Sequence, residues 1–267
     1  MKIDRIYVKK IFSEYVKNYD VEDPKIALKI AHTYRVADMC DDIARSIGLG
    51  SEDADLAWLT GMLHDIGRFE QCRLYDSFND GETVDHAKLS CMLLFADDLL
   101  KGIDIAEYGW INIREFIEDA SEDKLLHDAV YYHNVFRMPE DMDMRTRMFA
   151  DILRDADKVD ILRVNIDTPL EDIYNVTTYE LRHAAVSDAV MEAFHCKSCV
   201  DKRLKKTPID NVVGHLSLVF ELVYPRSIEL VKMQGYIFKH MNFESDNPYT
   251  AEQFRIIQAE MRSFLGV

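Results

Sequence analysis

Leu59-Thr-Gly-Met-Leu-His-Asp-Ile-Gly-Arg-Phe-Glu70 is the stretch on which the fold turns. From Leu56 to Leu63 no residue carries a charge. Leu56, Leu59 and Leu63 share one helical face while Trp58 and Met62 cover another, the pattern of a helix buried on most sides. His64 and Asp65 stand at its end. A buried, unpaired carboxylate there would cost several kcal/mol, so Asp65 needs a metal, an Arg or Lys, or a full set of hydrogen-bond donors. Gly67 predicts a helix stop that leaves the pair facing a cleft.

Working outward, residues 4–19 predict a first helix, with Ile6, Val8, Ile11, Tyr15 and Val16 spaced for one face. Asp23-Pro24 supplies an N-cap and a first-turn proline for a second helix, which carries His32 and runs to Ile47-Gly48. Ser51 to Ala54 gives only an imperfect capping box for the third. Downstream, residues 68–83 read as an ordered loop with turn residues at Asn79-Asp-Gly81, and a loop of that length in a domain is usually functional or disordered.

His86 opens the next helix, with Leu89, Met92, Leu93 and Ala96 as its stripe. Helical segments follow over 107–119 and 122–133, broken by Pro139. Met144 to Val164 predicts a long helix bearing Asp151, Asp155, Asp157 and Asp160. From about Pro169 onward, further helices are expected near 179–194, 209–224, 227–241 and 251–265. With ten glycines, six prolines and no sustained alternation of apolar and polar residues, the fold class is all-α.

Composition bounds the function. The chain has 267 residues, 48 % of them hydrophobic, ample for a core. A net charge of -16 argues against stable nucleic-acid binding, which draws on Lys and Arg clusters. An anionic substrate would therefore need local positive charge, which bound metal ions provide. No apolar run approaches the roughly 18 to 20 residues of a membrane span, and the start Met-Lys-Ile-Asp-Arg-Ile-Tyr lacks the apolar stretch of a signal peptide. The expectation is a cytoplasmic protein with no membrane partner. Five cysteines, with Cys40, Cys72 and Cys91 isolated, fit reduced thiols better than a disulfide framework. His195-Cys-Lys-Ser-Cys199 offers half a zinc site. Two ordinary thiols are the better reading of Cys196 and Cys199, and a redox pair the alternative. Lys202-Arg-Leu-Lys-Lys206 reads as a solvated basic connector.

Six residues on five segments are candidate metal ligands: His32, His64, Asp65, His86, His133 and Asp157. One helical histidine alone is more often structural. His86 and His133 in particular also read as ordinary residues at a helix start and a helix end. Neutral imidazoles and carboxylates together, however, are what Zn, Mn, Fe or Ni sites use.

With His32 in Ala-His-Thr-Tyr-Arg-Val-Ala, His64 and Asp65 in Leu-His-Asp-Ile-Gly-Arg, and Asp157 in Asp-Ala-Asp-Lys-Val-Asp, the chain resembles the HD superfamily of metal-dependent phosphohydrolases. That pattern is a distant His, an adjacent His-Asp and a later Asp on a helical core. Asp155 competes for the last role, and the family phrase Ala-Asp-Lys favours Asp157. His86 in Val-Asp-His-Ala-Lys and His133 in Tyr-His-Asn look like the added ligands of binuclear branches, in which the HD aspartate bridges two metals. The resemblance implies a single HD-domain helical bundle over about residues 24–165, preceded by an N-terminal helix in 1–23 and followed by C-terminal helices over 166–267 packing on the core.

The same resemblance implies two divalent metal ions (Mn, Fe, Ni, Zn or Mg), a metal-activated water and hydrolysis of a nucleotide or other small phosphate ester. Asp65 is the implied catalytic carboxylate. Arg68, Lys88 and Lys158 are the candidate cations for phosphate or leaving group, against the ordinary reading of surface charge. Two alternatives stay open: an HD-type di-iron oxygenase, which shares the ligand pattern, and a non-catalytic metal-binding regulatory module. The Gly-Tyr-Pro signature of HD proteins that degrade cyclic dinucleotides is missing, since Val135-Phe-Arg-Met-Pro139 follows His133-Asn134. The acidic pair of alarmone hydrolases is not evident after Gly67 either. A homo-oligomer is left open.

Overall fold

Side-chain oxygens start many of the helices. In the computed structural model, which describes residues 2–96, 111–169 and 176–267, Asp4 accepts hydrogen bonds from the Ile6 and Tyr7 amides at the head of α1 (Arg5–Val16). Asp23 does the same for the Lys25 amide at α2 (Pro24–Ser46), with Pro24 in the first turn as the sequence predicts. Helix α3 (Ser51–Leu63) starts at Gly50 with no side-chain cap, so the imperfect capping box does not form. Among the described residues all regular secondary structure is helical, and the fold is all-α.

Gly67 does not stop a helix. The chain leaves helical geometry for one residue, Asp65 (φ -106°, ψ 16°), and re-enters it as α4 (Ile66–Tyr75). The loop expected over 68–83 is thus helical as far as Tyr75, and Asp76 ends the helix in the left-handed region (φ 50°). Polar residues disguised it. Glu70 is fully buried because Tyr19 donates to it at 2.6 Å and Arg73 at 2.7 Å. Gln71 is buried by bonds to Asp80, Thr83 and the Val84 carbonyl. Gly67 serves close approach instead: a Cβ there would come within 2.5 Å of the His86 carbonyl oxygen and 2.6 Å of the Ser90 amide.

Asp85 caps α5 (His86–Phe95) by accepting from the Ala87 and Lys88 amides, and Ala96 ends it with φ 58° rather than extending its apolar stripe. The segment expected at 107–119 lies outside the described residues as far as 110. Beyond them it is a single turn, α6 (Ile113–Phe116), flanked by extended residues at Asn112 and Ile117. Helices α7 (Asp123–Tyr132) and α8 (Met144–Asp167) fall where expected.

The chain divides into two compact units, Met1–Ala156 and Asp157–Val267, with α8 running through the division. In the first, α2 and α3 pair closely because Gly61 faces Ala37, where an added Cβ would lie 2.5 Å from the Ala37 Cα. Phe12 meets the edges of Tyr34 and Phe69 at 5.4 and 5.8 Å, an apolar support beneath α4.

The second unit holds α9 (Thr178–His183), α10 (Asp188–His195), α11 (Pro208–Ser217), α12 (Pro225–Gln234), α13 (Tyr236–Met241) and α14 (Pro248–Leu265). Three of the long segments expected from sequence are shorter. The one near 179–194 breaks at Ala184, since buried Asp210 draws in the Ser187 amide and hydroxyl along with the Lys206 and Thr207 amides. Gly235 (φ 72°) divides 227–241, and 209–224 gives way to a 3-10 turn at Leu218–Glu221. No helix of the described residues is long and apolar enough to cross a membrane.

Candidate metal centre

The one-residue break between α3 and α4 places Asp65 at a junction where four histidines converge. Asp65 is 2 % exposed and His32, His64, His86 and His133 at most 4 %, so every polar atom here must be answered from within the protein. The two carboxylate oxygens face different partners. Oδ2 lies 2.7 Å from Lys29 Nζ, 3.4 Å from His64 Nε2 and 3.5 Å from His32 Nε2. Oδ1 lies 3.4 Å from His86 Nε2, 3.6 Å from Arg68 Nε and 3.9 Å from His133 Nε2.

The tautomers follow from what sits behind the rings. His64 Nδ1 is 2.8 Å from the Gly61 carbonyl oxygen, His133 Nδ1 is 2.6 Å from that of Val130, and His86 Nδ1 is 2.6 Å from Asp80 Oδ2. Those oxygens only accept, so each Nδ1 carries a proton and each ring turns its Nε2 inward. The Nε2 atoms of His86 and His133 meet at 2.9 Å, and those of His32 and His64 at 3.3 Å. Burial, reinforced by Arg68, depresses the basicity of His86 below that of an ordinary histidine, despite the neighbouring carboxylates. Inward-facing imidazoles around a carboxylate suit a divalent cation.

Burial on its own would favour protonated Asp65. The Lys29 ammonium leads the groups that outweigh it and hold the carboxyl well below its usual range. His64, Asp65 and His133 each offer a ligand atom within 4.8 Å of one another, as do His32, His64 and Asp157 on α8. Asp157 is half-buried and Asp155 fully buried; of the two, Asp157 is the one in these groups. A third cluster, Asp80, Asp85 and His86, is already spent internally. Asp80 bonds His86, Arg68 and Gln71, and Asp85 caps α5.

Four supporting residues escaped the sequence reading. Lys29 precedes His32 by three positions on α2, the spacing of neighbours on a helix face. Asp80 sat within an apparent turn, yet it fixes the tautomer and orientation of His86; burial would raise its pKa, but His86 and Arg68 hold it below the usual range. Ser90 Oγ accepts from the Gly67 amide at 2.8 Å and lies 2.9 Å from the carbonyl oxygens of both His64 and His86, either of which can take its proton. Arg154, 7 % exposed, donates through Nη1 to the carbonyls of Tyr132, His133 and Val135, closing the open end of α7.

The cations read from sequence divide. Arg68 directs Nη1 to Gln71 Oε1, the Phe78 carbonyl and Asp80 Oδ1, while its buried Nε has no hydrogen-bond partner. Lys88 Nζ stands 3.7 Å from Asp85 Oδ2, and Lys158 Nζ is 3.1 Å from Glu221 Oε2. Cys196 and Cys199 are free thiols, exposed and buried respectively. His195 beside them is engaged with Glu260 at 2.6 Å.

An all-α core that gathers histidines and aspartates at a helix junction defines a class of helical domain able to hold metal ions. Residues 30–162 match the family model of the HD domain, and through that domain the chain belongs to the HD superfamily. Over 64 residues it is 33 % identical to a 3'3'-cGAMP-specific phosphodiesterase 1 of Vibrio cholerae, a match covering 24 % of this chain and 15 % of that protein's length. No solved structure matches the chain.

Proposed function

We propose that the chain is a metal-dependent phosphohydrolase acting on a nucleotide or another small phosphate ester. The observation that carries this reading is the division of Asp65, with two inward-facing imidazoles on each carboxylate oxygen. His32, His64, Asp65 and Asp157 would hold one divalent ion, and Asp65, His86 and His133 a second, the ions being Mn, Fe, Ni, Zn or Mg. Bound there, they supply Lewis acidity that lowers the pKa of water and stabilises charge on a phosphoryl group.

The chain's own residues do the positioning. Asp80 and the carbonyls of Gly61 and Val130 keep the Nδ1 protons in place and the Nε2 lone pairs pointed inward. The unpartnered Arg68 Nε supplies a charged donor for a phosphoryl oxygen. Lys88 and Lys158 take no part in this reading, because their ammonium groups face Asp85 and Glu221.

The name of the Vibrio cholerae relative supports phosphoester chemistry on a nucleotide. A cyclic dinucleotide is not proposed, since Val135 to Pro139 departs from the Gly-Tyr-Pro signature. A cytoplasmic location, with no stable nucleic-acid or membrane partner, goes with this reading. The test is metal analysis of protein purified without chelator, together with phosphate release from a panel of nucleotides and phosphate esters. Wild type should hold about two ions per chain, with loss of metal and activity in Asp65→Ala and His133→Ala. Full activity in a folded Asp65→Ala protein would overturn the proposal. Iron with oxygen uptake and no phosphate release would replace it with oxygenase chemistry.

A further inference from the structure

The cation nearest Asp65 belongs to none of the ligand groups. Lys29 Nζ lies 2.7 Å from Asp65 Oδ2, its side chain is 15 % exposed, and the Phe78 ring centroid stands 5.4 Å from the ammonium. Oδ2 is also the oxygen that faces His32 and His64. One atom therefore has two suitors: the resident ammonium, and any divalent ion taken up by those two imidazoles.

We propose that Lys29 is a built-in counter-ion of Asp65 that competes with the divalent cation for Oδ2 and so sets how tightly the site holds its metal. The inference rests on the metal reading above. Arg68 cannot replace Lys29 on Asp65, because its Nε stays at 3.6 Å and makes no hydrogen bond. Without Lys29, the buried carboxylate loses its closest charge partner in the metal-free protein, which raises the free energy of that state. With metal present, an ammonium and a divalent ion on one buried oxygen repel each other strongly. Both effects have one sign: removing the ammonium raises metal affinity.

The experiment compares wild type, Lys29→Met, Lys29→Gln and Lys29→Arg. Mn2+ affinity is measured by chelator competition, and Tm is measured with and without Mn2+. The neutral variants should bind Mn2+ about tenfold more tightly or better, in the range usual for coupled sites. They should also melt lower than wild type when metal-free and gain more in Tm on Mn2+ addition. Lys29→Arg should stay near wild type. If the methionine variant does not fold, the glutamine variant, which keeps a donor without the charge, carries the comparison. Unchanged or weaker Mn2+ binding in the neutral variants, with wild type binding normally, overturns this inference alone. Failure of wild type to bind Mn2+, Zn2+ or Fe2+ removes the metal reading and this inference with it.

Discussion

Replacing Gly67 with alanine tests the contact that brings α5 to the metal centre. The new Cβ would lie 2.5 Å from the His86 carbonyl oxygen, 2.6 Å from the Ser90 amide nitrogen and 3.0 Å from the Leu89 carbonyl carbon. All three are backbone atoms, so no side chain can swing aside; either α4 or α5 must move. Ordinary contact begins at 3.4 Å, which leaves a deficit of about 0.9 Å. Overpacking of this kind costs about 1–3 kcal/mol, and the rigid neighbours put Gly67→Ala at the upper end. For a domain of this size that corresponds to a fall in Tm of roughly 5–10 °C. His86 moves with its own carbonyl, so the facing Nε2 atoms of His86 and His133 separate and metal content falls towards the share held by the other histidine pair. Gly81→Ala is the control, because its nearest neighbour is the Asn79 side-chain oxygen at 3.3 Å, which can rotate. Differential scanning calorimetry and metal analysis read both effects. A Gly67→Ala protein that melts with wild type and keeps its full metal content would refute the reasoning.

Asp80→Asn removes the carboxylate behind His86 Nδ1, and affinity for the ion assigned to His86 and His133 should fall about 10–100-fold with the other ion retained; stepwise metal titration separates the two. Arg154→Met leaves the carbonyls of Tyr132, His133 and Val135 without their charged donor. Hydrogen bonds to charged groups contribute about 1.5–3 kcal/mol, so a loss of roughly that size is expected in chemical denaturation. His215 and His240 give the second unit a pH dependence. Burial depresses the folded pKa of each, with Lys205 adding to the effect at His215 and a bond to the Leu162 carbonyl opposing it at His240. Below about pH 6.5 the unfolded chain takes up protons that the native rings refuse. Stability is therefore present above that value and is lost as the pH falls towards the folded pKa values. His215→Gln should flatten the decline in denaturation midpoint between neutral and mildly acidic pH, and an unchanged slope would exclude His215 as a cause.

Much of the fold was legible because its helices announce themselves locally. Asp23-Pro24 and the uncharged run from Leu56 to Leu63 each contain their own start signal or burial pattern. Helix α4 did not, because its buried polar residues are satisfied from elsewhere in the chain: Glu70 by Tyr19, and Gln71 by Asp80 and Val84. A sequence window sees Glu and Gln as solvent-seeking and has no access to partners that tertiary structure supplies. Asp80 and Arg154 were hidden for the same reason. Their roles exist only through His86 in one case and the end of α7 in the other. In the second unit the helix breaks at Ala184 and Gly235 needed, respectively, a distant carboxylate and a left-handed residue to show themselves.

The misreading of Gly67 bears on how the centre is built. A helix stop there would leave Arg68 in a loop and release α5 from its neighbour. Instead, Asp65 departs from helical geometry and Ile66 resumes it, which sets Arg68 three residues on, with Nε towards Oδ1 at 3.6 Å. The same restart brings the Gly67 amide onto Ser90 Oγ. Since α5 begins at His86, seating Ser90 against that amide also seats His86 one turn earlier on the same helix. His86 Nε2 thus reaches Oδ1 while His32 and His64 hold the side of Oδ2. The two-sided character of Asp65 arises from a single non-helical residue and a single missing side chain, which is why one added methyl group at Gly67 should disturb ligands on one oxygen more than those on the other.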